Sequence, residues 1–136
     1  MPELLYNFDQ QIALWVGQRT GVQDYGLSRS IGVVHNGKIV AGVVYSNFRN
    51  GNIEASIAAD DKRWCSRTVL RALFFYPFVD LKCRRITCII PADNEKSLVL
   101  CTKLGFEIEG RCREVFGQTD GVICGLLRNH CRWIPE

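Results

Sequence analysis

The stretch Asn52 to Val79, NIEASIAADDKRWCSRTVLRALFFYPFV, constrains the fold more than any other part of the chain. Ile53, Ala55 and Ile57 alternate with Glu54, Ser56 and Ala58, the period of a strand. The run breaks at Asp60-Asp61 and passes through a basic turn, Lys62-Arg63-Trp64-Cys65-Ser66. It resumes with Val69, Leu70, Leu73, Phe74 and Pro77 on one helical stripe. A second run, Arg85-Ile86-Thr87-Cys88-Ile89-Ile90, reads as a strand buried on both faces. Strand, helix and strand at this spacing imply a parallel pair with a right-handed crossover. The helix then begins at the end of a sheet, where unpaired backbone N–H groups and the helix dipole favour an anion. Arg63 and Arg67 bracket that terminus, which suits a phosphorylated ligand. Solvated arginines on an ordinary strand-to-helix connection give the same pattern.

The rest of the chain dresses this unit. Phe8, Ile12, Ala13, Trp15 and Val16 give helical spacing within Met1 to Thr20, with Asp9 placed to cap or open the helix and Gly17 and Gly21 to end it. A polar loop follows through Arg29. Ser30 to Val34 and Lys38 to Tyr45 are strands joined at His35-Asn36-Gly37, and Asn-Gly between apolar runs signals a hairpin. Phe48 to Asn52 is the next turn, so these strands and the Ile53 strand form an antiparallel meander. Asn94 caps a further helix with Glu95 in its first turn. Leu98, Cys101 and Leu104 form its buried stripe, and Gly105 stops it. Phe106 to Phe116 and Val122 to Leu127 close the chain as a hairpin around Gly117 to Gly121. Residues 1–136 thus read as a single α/β domain, a mixed sheet flanked by helices.

Composition narrows the partners. A net charge of +3 with arginines scattered along the chain is no nucleic-acid signature, and no apolar run is long enough to span a membrane. The seven cysteines include no Cys-x-x-Cys pair, so no metal site is expected. Their odd number and the lack of a signal peptide predict reduced thiols in a cytoplasmic protein, most of them acting as small core residues.

Asn94-x-x-Ser97, Lys103-Leu104-Gly105-Phe106 and Glu109-Gly110-x-x-Arg113, in that order, resemble the hallmark of the GNAT (GCN5-related N-acetyltransferase) superfamily. The resemblance spans about Ile31 to Trp133. It is closest to the branch acetylating protein N-termini and to small phage-type members, which Arg63-Trp64-x-x-Arg67, Tyr76-Pro77-Phe78 and Cys131-Arg132-Trp133 also resemble. It implies that Asn52 to Ala59 splays from Arg85 to Pro91 and admits the pantetheine arm of acetyl-CoA. Backbone groups of Ser56, Ile57 and Ala58 would pair with that arm and polarise the thioester carbonyl. The turn Arg63, Trp64, Cys65, Ser66, Arg67 and Thr68 would hold the pyrophosphate, and Asn94 with Ser97 would meet the cofactor. The family's turn usually carries glycines, which let the backbone approach phosphate. This one has none, and Arg63, Arg67 and Ser66 would compensate.

The resemblance also implies acetyl transfer to a primary amine: a protein N-terminus, a lysine or a small molecule. Glu54 is the first candidate for the base and Asp60 the second. The acid that many relatives draw from a tyrosine beyond the Asn94 helix is missing, since no tyrosine follows Tyr76. Tyr45 is the substitute, although an aromatic in a strand also reads as packing. Cys101 would approach the cofactor sulfur from its helix, core filling being the plainer reading, and Cys65 at a helix start beside Arg63 suggests a lowered thiol pKa. The Phe8–Trp15 helix, the Gly21–Arg29 loop and the Gly117–Gly121 turn would flank the acceptor. The alternative is an inactive phage-type member that binds CoA or a protein. The chain is expected to be a monomer or a homodimer paired through a strand edge.

Overall fold

Two Asn-Gly pairs set the register of the sheet. Asn36-Gly37 and Asn50-Gly51 all take positive φ (54°, 75°, 54° and 77°), the backbone of a two-residue hairpin turn that suits the right-handed twist of its strands. The first joins β2 (Ser28–His35) to β3 (Lys38–Arg49), and the second joins β3 to β4 (Asn52–Ala59). The computed structural model describes residues 2–60 and 64–135.

The remaining elements are β1 (Glu3–Leu5), α1 (Asp9–Thr20), α2 (Arg67–Phe75), β5 (Arg85–Pro91), α3 (Glu95–Leu104), β6 (Glu107–Phe116) and β7 (Thr119–Leu127). They build one seven-stranded sheet in the order β1-β2-β3-β4-β5-β7-β6. Among the described residues, only β4 and β5 pair in parallel. This is the mixed α/β sheet expected from the sequence, with one difference. Glu3–Leu5, read there as part of the first helix, is an edge strand on β2. The last strand, β7, inserts between β5 and β6.

Helices pack on both faces of the sheet. Val69, Leu70, Leu73, Phe74 and Pro77, the stripe read from the sequence, are all buried. With Cys101 and Leu104 of α3 they pack on Val43, Tyr45, Ile53, Ile86 and Cys88. Pro77 has no N–H to continue α2, so the chain widens into a π-helical turn, Tyr76–Asp80, in which the Leu81 N–H reaches the Tyr76 carbonyl. On the other face α1 sets Ile12 and Val16 against Val44 and Ala58. Gly32 and Gly42 stand opposite each other across β2 and β3. A Cβ on Gly42 would lie 2.9 Å from Val16 Cγ2, and one on Gly32 would lie 3.2 Å from Ile12 Cδ1, so the two glycines let α1 settle onto the sheet. Asp9 opens α1 without capping it, and its carboxylate accepts the Ser30 N–H at 2.8 Å.

β5 departs from its expected burial. Ile86, Cys88 and Ile90 are buried, whereas Thr87 and Ile89 on the opposite face are half-buried, because α1 reaches only as far as β4. The C-terminal segment secures α3: the Trp133 indole donates to the Leu104 carbonyl at 2.9 Å, and Arg132 donates to the Lys103 carbonyl. No helix of the described residues is long and apolar enough to cross a membrane, and none of their His, Cys, Asp and Glu form a group able to hold a metal ion.

Candidate active site

β4 and β5 stay paired only at Asn52–Arg85, Ile53–Ile86 and Glu54–Thr87. Beyond Glu54 they part, while β5 remains paired with β7 as far as Pro91–Gly121. The gap is a cleft of about 410 Å³, open solvent included. Ala55, Ser56 and Ile57 line one wall and Cys88 to Pro91 the other. Asn94, Ser97 and Cys101 of α3 line it on one side of the sheet. Thr20 and Val22, from the end of α1 and the loop after it, line it with Phe116 on the other. The cleft therefore passes through the sheet.

Hydrogen-bond alternation fixes which backbone groups face it. Asp60 N–H bonds to the Val40 carbonyl. In an antiparallel ladder the even-numbered residues of β4, Ser56 and Ala58 among them, then also point at β3. The backbone groups of Ala55, Ile57 and Ala59 point towards β5; the Ala55 N–H makes the last rung of the parallel ladder through the Glu54–Thr87 bridge, and the Ala55 C=O and the Ile57 and Ala59 groups have no strand partner there. For the backbone this corrects the expectation at Ser56 and Ala58. Ile57 is the middle of the exposed set, and Ser56 contributes its side chain to the cleft.

The α2 start is only partly what the sequence suggested. Ser66 is the N-cap, and its hydroxyl accepts the Val69 N–H at 3.2 Å. The N–H groups of Arg67 and Thr68 in the first turn have no acceptor within the helix, and both side chains are exposed. Arg63 lies outside the described residues. Trp64 is a correction: at 3% exposure it belongs to the core rather than to a ligand surface. Cys65 is another, since burial pushes its thiol up rather than down. At the second helix start, the Asn94 carboxamide oxygen accepts the Ser97 N–H at 3.2 Å, and both residues line the cleft.

Glu54 sits at the last paired position of β4, half-buried, where the strands part. Asn47 Nδ2 donates to its Oε2 at 3.1 Å. Asn47 lies in the bulge between Ser46 and Arg49 with φ 53°, a left-handed conformation that asparagine tolerates better than most residues. Sequence reasoning missed Asn47. The only signal was an asparagine within a strand-length run.

The other two acid–base candidates are committed elsewhere. Asp60 is exposed and gripped by Arg19 through Nε at 2.7 Å and Nη2 at 2.9 Å, which holds its carboxyl below the usual range. Arg19 also stacks on Trp15, 3.5 Å from the ring centre, so this pair staples α1 to the end of β4. Tyr45 is 2% exposed, and its hydroxyl donates to the Leu73 carbonyl at 2.5 Å. Burial, with Tyr6 and Tyr76 nearby, raises its pKa well above the ordinary phenol value. It packs the core and is not among the described residues that line the cleft.

No family model and no curated protein sequence matches the chain. Solved structures do. Mutant forms of the spermidine/spermine N-acetyltransferase SpeG from Vibrio cholerae superpose with a TM-score of 0.70 at 15% identity, over 95% of this chain and 96% of that one. The ribosomal-protein-S5-alanine acetyltransferase of Vibrio fischeri gives 0.64 at 21% identity, over 93% and 72%. A probable acetyltransferase gives 0.65 at 20%, over 84% and 72%.

The fold is that of the GNAT acetyltransferases. At these identities the likeness concerns the path of the backbone. Within the GNAT fold, the parting of β4 and β5 and the helix starts at Ser66 and Asn94 are the features that resemblance placed around acetyl-CoA.

Proposed function

We propose that this chain is an acetyl-CoA-dependent N-acetyltransferase acting on a primary amine. The supporting observation is the through-sheet cleft at the parting of β4 and β5, with hydrogen-bond donors on its α3 side and a carboxylate beside its start. The donor set fits a phosphorylated thioester. The free N–H groups of Arg67 and Thr68, with the Arg67 guanidinium, would hold phosphate, and Asn94 would meet the amide-bearing arm. Bound there, acetyl-CoA supplies an acyl group activated as a thioester.

The chain's residues then have three tasks. The Ile57 N–H, aimed into the gap, donates to a carbonyl oxygen as charge gathers on it. Glu54 accepts a proton from the acceptor, directly or through water, because an ammonium has no lone pair with which to attack. Thr20, Val22 and Phe116 bound the opposite mouth and shape what enters. Among the described residues that line the cleft none is a tyrosine, and a leaving thiol with a pKa of about 8.5 departs readily without an acid.

Calorimetric titration of acetyl-CoA into the reduced protein tests the reading. Binding in the micromolar range, roughly −8 kcal/mol, is expected. An acceptor screen would start with spermidine and an alanine-terminated peptide, the acceptor types in the neighbours' names. No heat at millimolar acetyl-CoA would overturn the reading. It would leave a fold retained for protein binding, which the glycine-free turn and the lack of a tyrosine after Tyr76 favour.

Asn47 is the positioning residue for Glu54 in this mechanism. Asn47→Gly keeps the positive φ and removes the amide. It is expected to lower kcat by up to about tenfold, the worth of one hydrogen bond to a charged group at a wet site. The KM for acetyl-CoA should not change, because Asn47 lies away from the cofactor-holding groups. A rise in that KM with kcat intact would show that the amide holds the strand rather than the carboxylate.

A further inference from the structure

The two mouths of the cleft differ in chemistry. The α3 side offers the amide of Asn94 and the hydroxyl of Ser97. The α1 side is lined by Thr20, Val22, Ser56, Ile89 and Phe116. Strand alternation assigns the sides: Ala58 packs on Ile12 and Val16 of α1, so Ser56 and Glu54 face the same way. On β5, Ile89 points away from Cys88 and Ile90, which belong to the core under α2 and α3. A Cβ on Gly121 would lie 2.8 Å from Ile89 Cγ2 and 3.2 Å from Phe116 Cε2, so the bare glycine lets these two side chains meet. A Cβ on Gly17 would lie 2.5 Å from the Val22 carbonyl oxygen, so the loop after α1 is packed down on the helix there. The Thr20 hydroxyl donates its one hydrogen to the Val16 carbonyl at 3.1 Å, so the Tyr25 hydroxyl, 2.8 Å away, donates to Thr20. Thr20 keeps a spare lone pair and has no hydrogen left to give. Among the described residues that line the cleft, none is charged. Asp60, at the end of β4, is already held by Arg19, and Asp24 of the loop accepts the Gly26 N–H at 2.8 Å.

We infer that the acceptor is an apolar monoamine, a primary amine carried on uncharged hydrocarbon, in preference to a diamine or polyamine. The inference rests on the acetyltransferase reading and names the acceptor class within it. The reacting ammonium has hydrogen-bond acceptors in the Glu54 carboxylate and the spare lone pair of Thr20. Beyond the nitrogen, Val22, Ile89 and Phe116 present hydrocarbon and no counter-charge. An alkyl or aromatic substituent gains burial against them. A second ammonium in the same place loses hydration and finds no partner. The transfer itself is unchanged. Glu54 takes one proton from the ammonium, and the freed lone pair forms the C–N bond at the acyl carbon as the C–S bond breaks. The second proton that the nitrogen gives up leaves with the sulfur as a thiol. What the α1-side mouth decides is which amine arrives there.

Hexylamine and cadaverine test this as chains of equal length that differ only in a terminal methyl against a terminal ammonium. At saturating acetyl-CoA, kcat/KM for hexylamine is expected to exceed that for cadaverine by at least about tenfold. Calorimetry on the chain loaded with CoA should give hexylamine the lower Kd by a similar factor, a readout that needs no turnover. Val22→Asp sets a carboxylate at the mouth and should narrow or reverse the preference, with its thermal midpoint reporting that it folds. The comparison in the parent chain decides the matter whether or not that variant folds. Equal rates, a faster diamine, or no transfer to either amine by a chain that binds acetyl-CoA would overturn the inference. A chain that binds no acetyl-CoA fails earlier, at the acetyltransferase reading, and takes the acceptor class with it.

Discussion

Replacing Glu54 by glutamine is expected to lower kcat by roughly 10²- to 10⁴-fold, the usual contribution of a positioned general base, while the Kd for acetyl-CoA is unchanged. Glutamine keeps the size of the side chain and can still accept the Asn47 amide hydrogen bond through its carbonyl oxygen. It cannot take the proton from the acceptor ammonium and so free its lone pair for attack. The groups proposed to hold the cofactor, Ile57 and Asn94 in the cleft and Arg67 and Thr68 at the start of α2, are other than Glu54, so binding and turnover should separate. Steady-state rates at saturating acetyl-CoA, with calorimetry on the same preparation, check both halves. Raising the pH gives a further signature. As the acceptor amine loses its own proton in solution, the deficit of the glutamine variant should shrink. A variant that turns over like the parent chain would remove Glu54 from the mechanism, and one that loses cofactor affinity equally would make it a structural residue of β4.

The parts of this site legible in the sequence were those with a local signal. Alternation from Ile53 to Ala58, the stripe from Val69 to Pro77 and the cap at Asn94 each depend on near neighbours, and the structure has them where the sequence placed them. What the sequence did not show depends on contacts between distant positions. Glu3–Leu5 is a strand only because β2 lies beside it, and three residues carry too little period to announce themselves. Arg19 and Asp60 are 41 positions apart, so nothing local warned that the carboxylate was already paired. Asn47 turns onto Glu54 through a bulge, and a bulge breaks the period from which a side chain's direction is read. Ser56 and Ala58 were grouped with Ile57 because adjacency was visible, whereas the alternation that turns their backbone groups to β3 needed the pairing partner.

Trp64 gives the sharpest separation between the sequence's expectation and the structure. Trp64→Ala is expected to destabilise the chain by about 3–5 kcal/mol, as for other buried large-to-small changes. That is a large share of the roughly 5–15 kcal/mol that holds a domain of this kind folded. The indole bounds the apolar space between the sheet and α2, beside Tyr45, Phe74 and Phe106, and its loss leaves a cavity that polar groups cannot line. The thermal midpoint should fall by about 10 °C or more, and the urea midpoint should fall with its slope retained. Trp64→Phe should recover much of the loss, since it restores most of the apolar volume. A tryptophan among the residues holding the pyrophosphate, as the resemblance implied, would behave in the opposite way: stability would hold, and only the Kd for acetyl-CoA would rise. The glycine-free turn then has a physical reason. Burial of the Trp64 indole gains energy in the core, and in the proposed acetyltransferase the backbone donors at Arg67 and Thr68 would meet the phosphate.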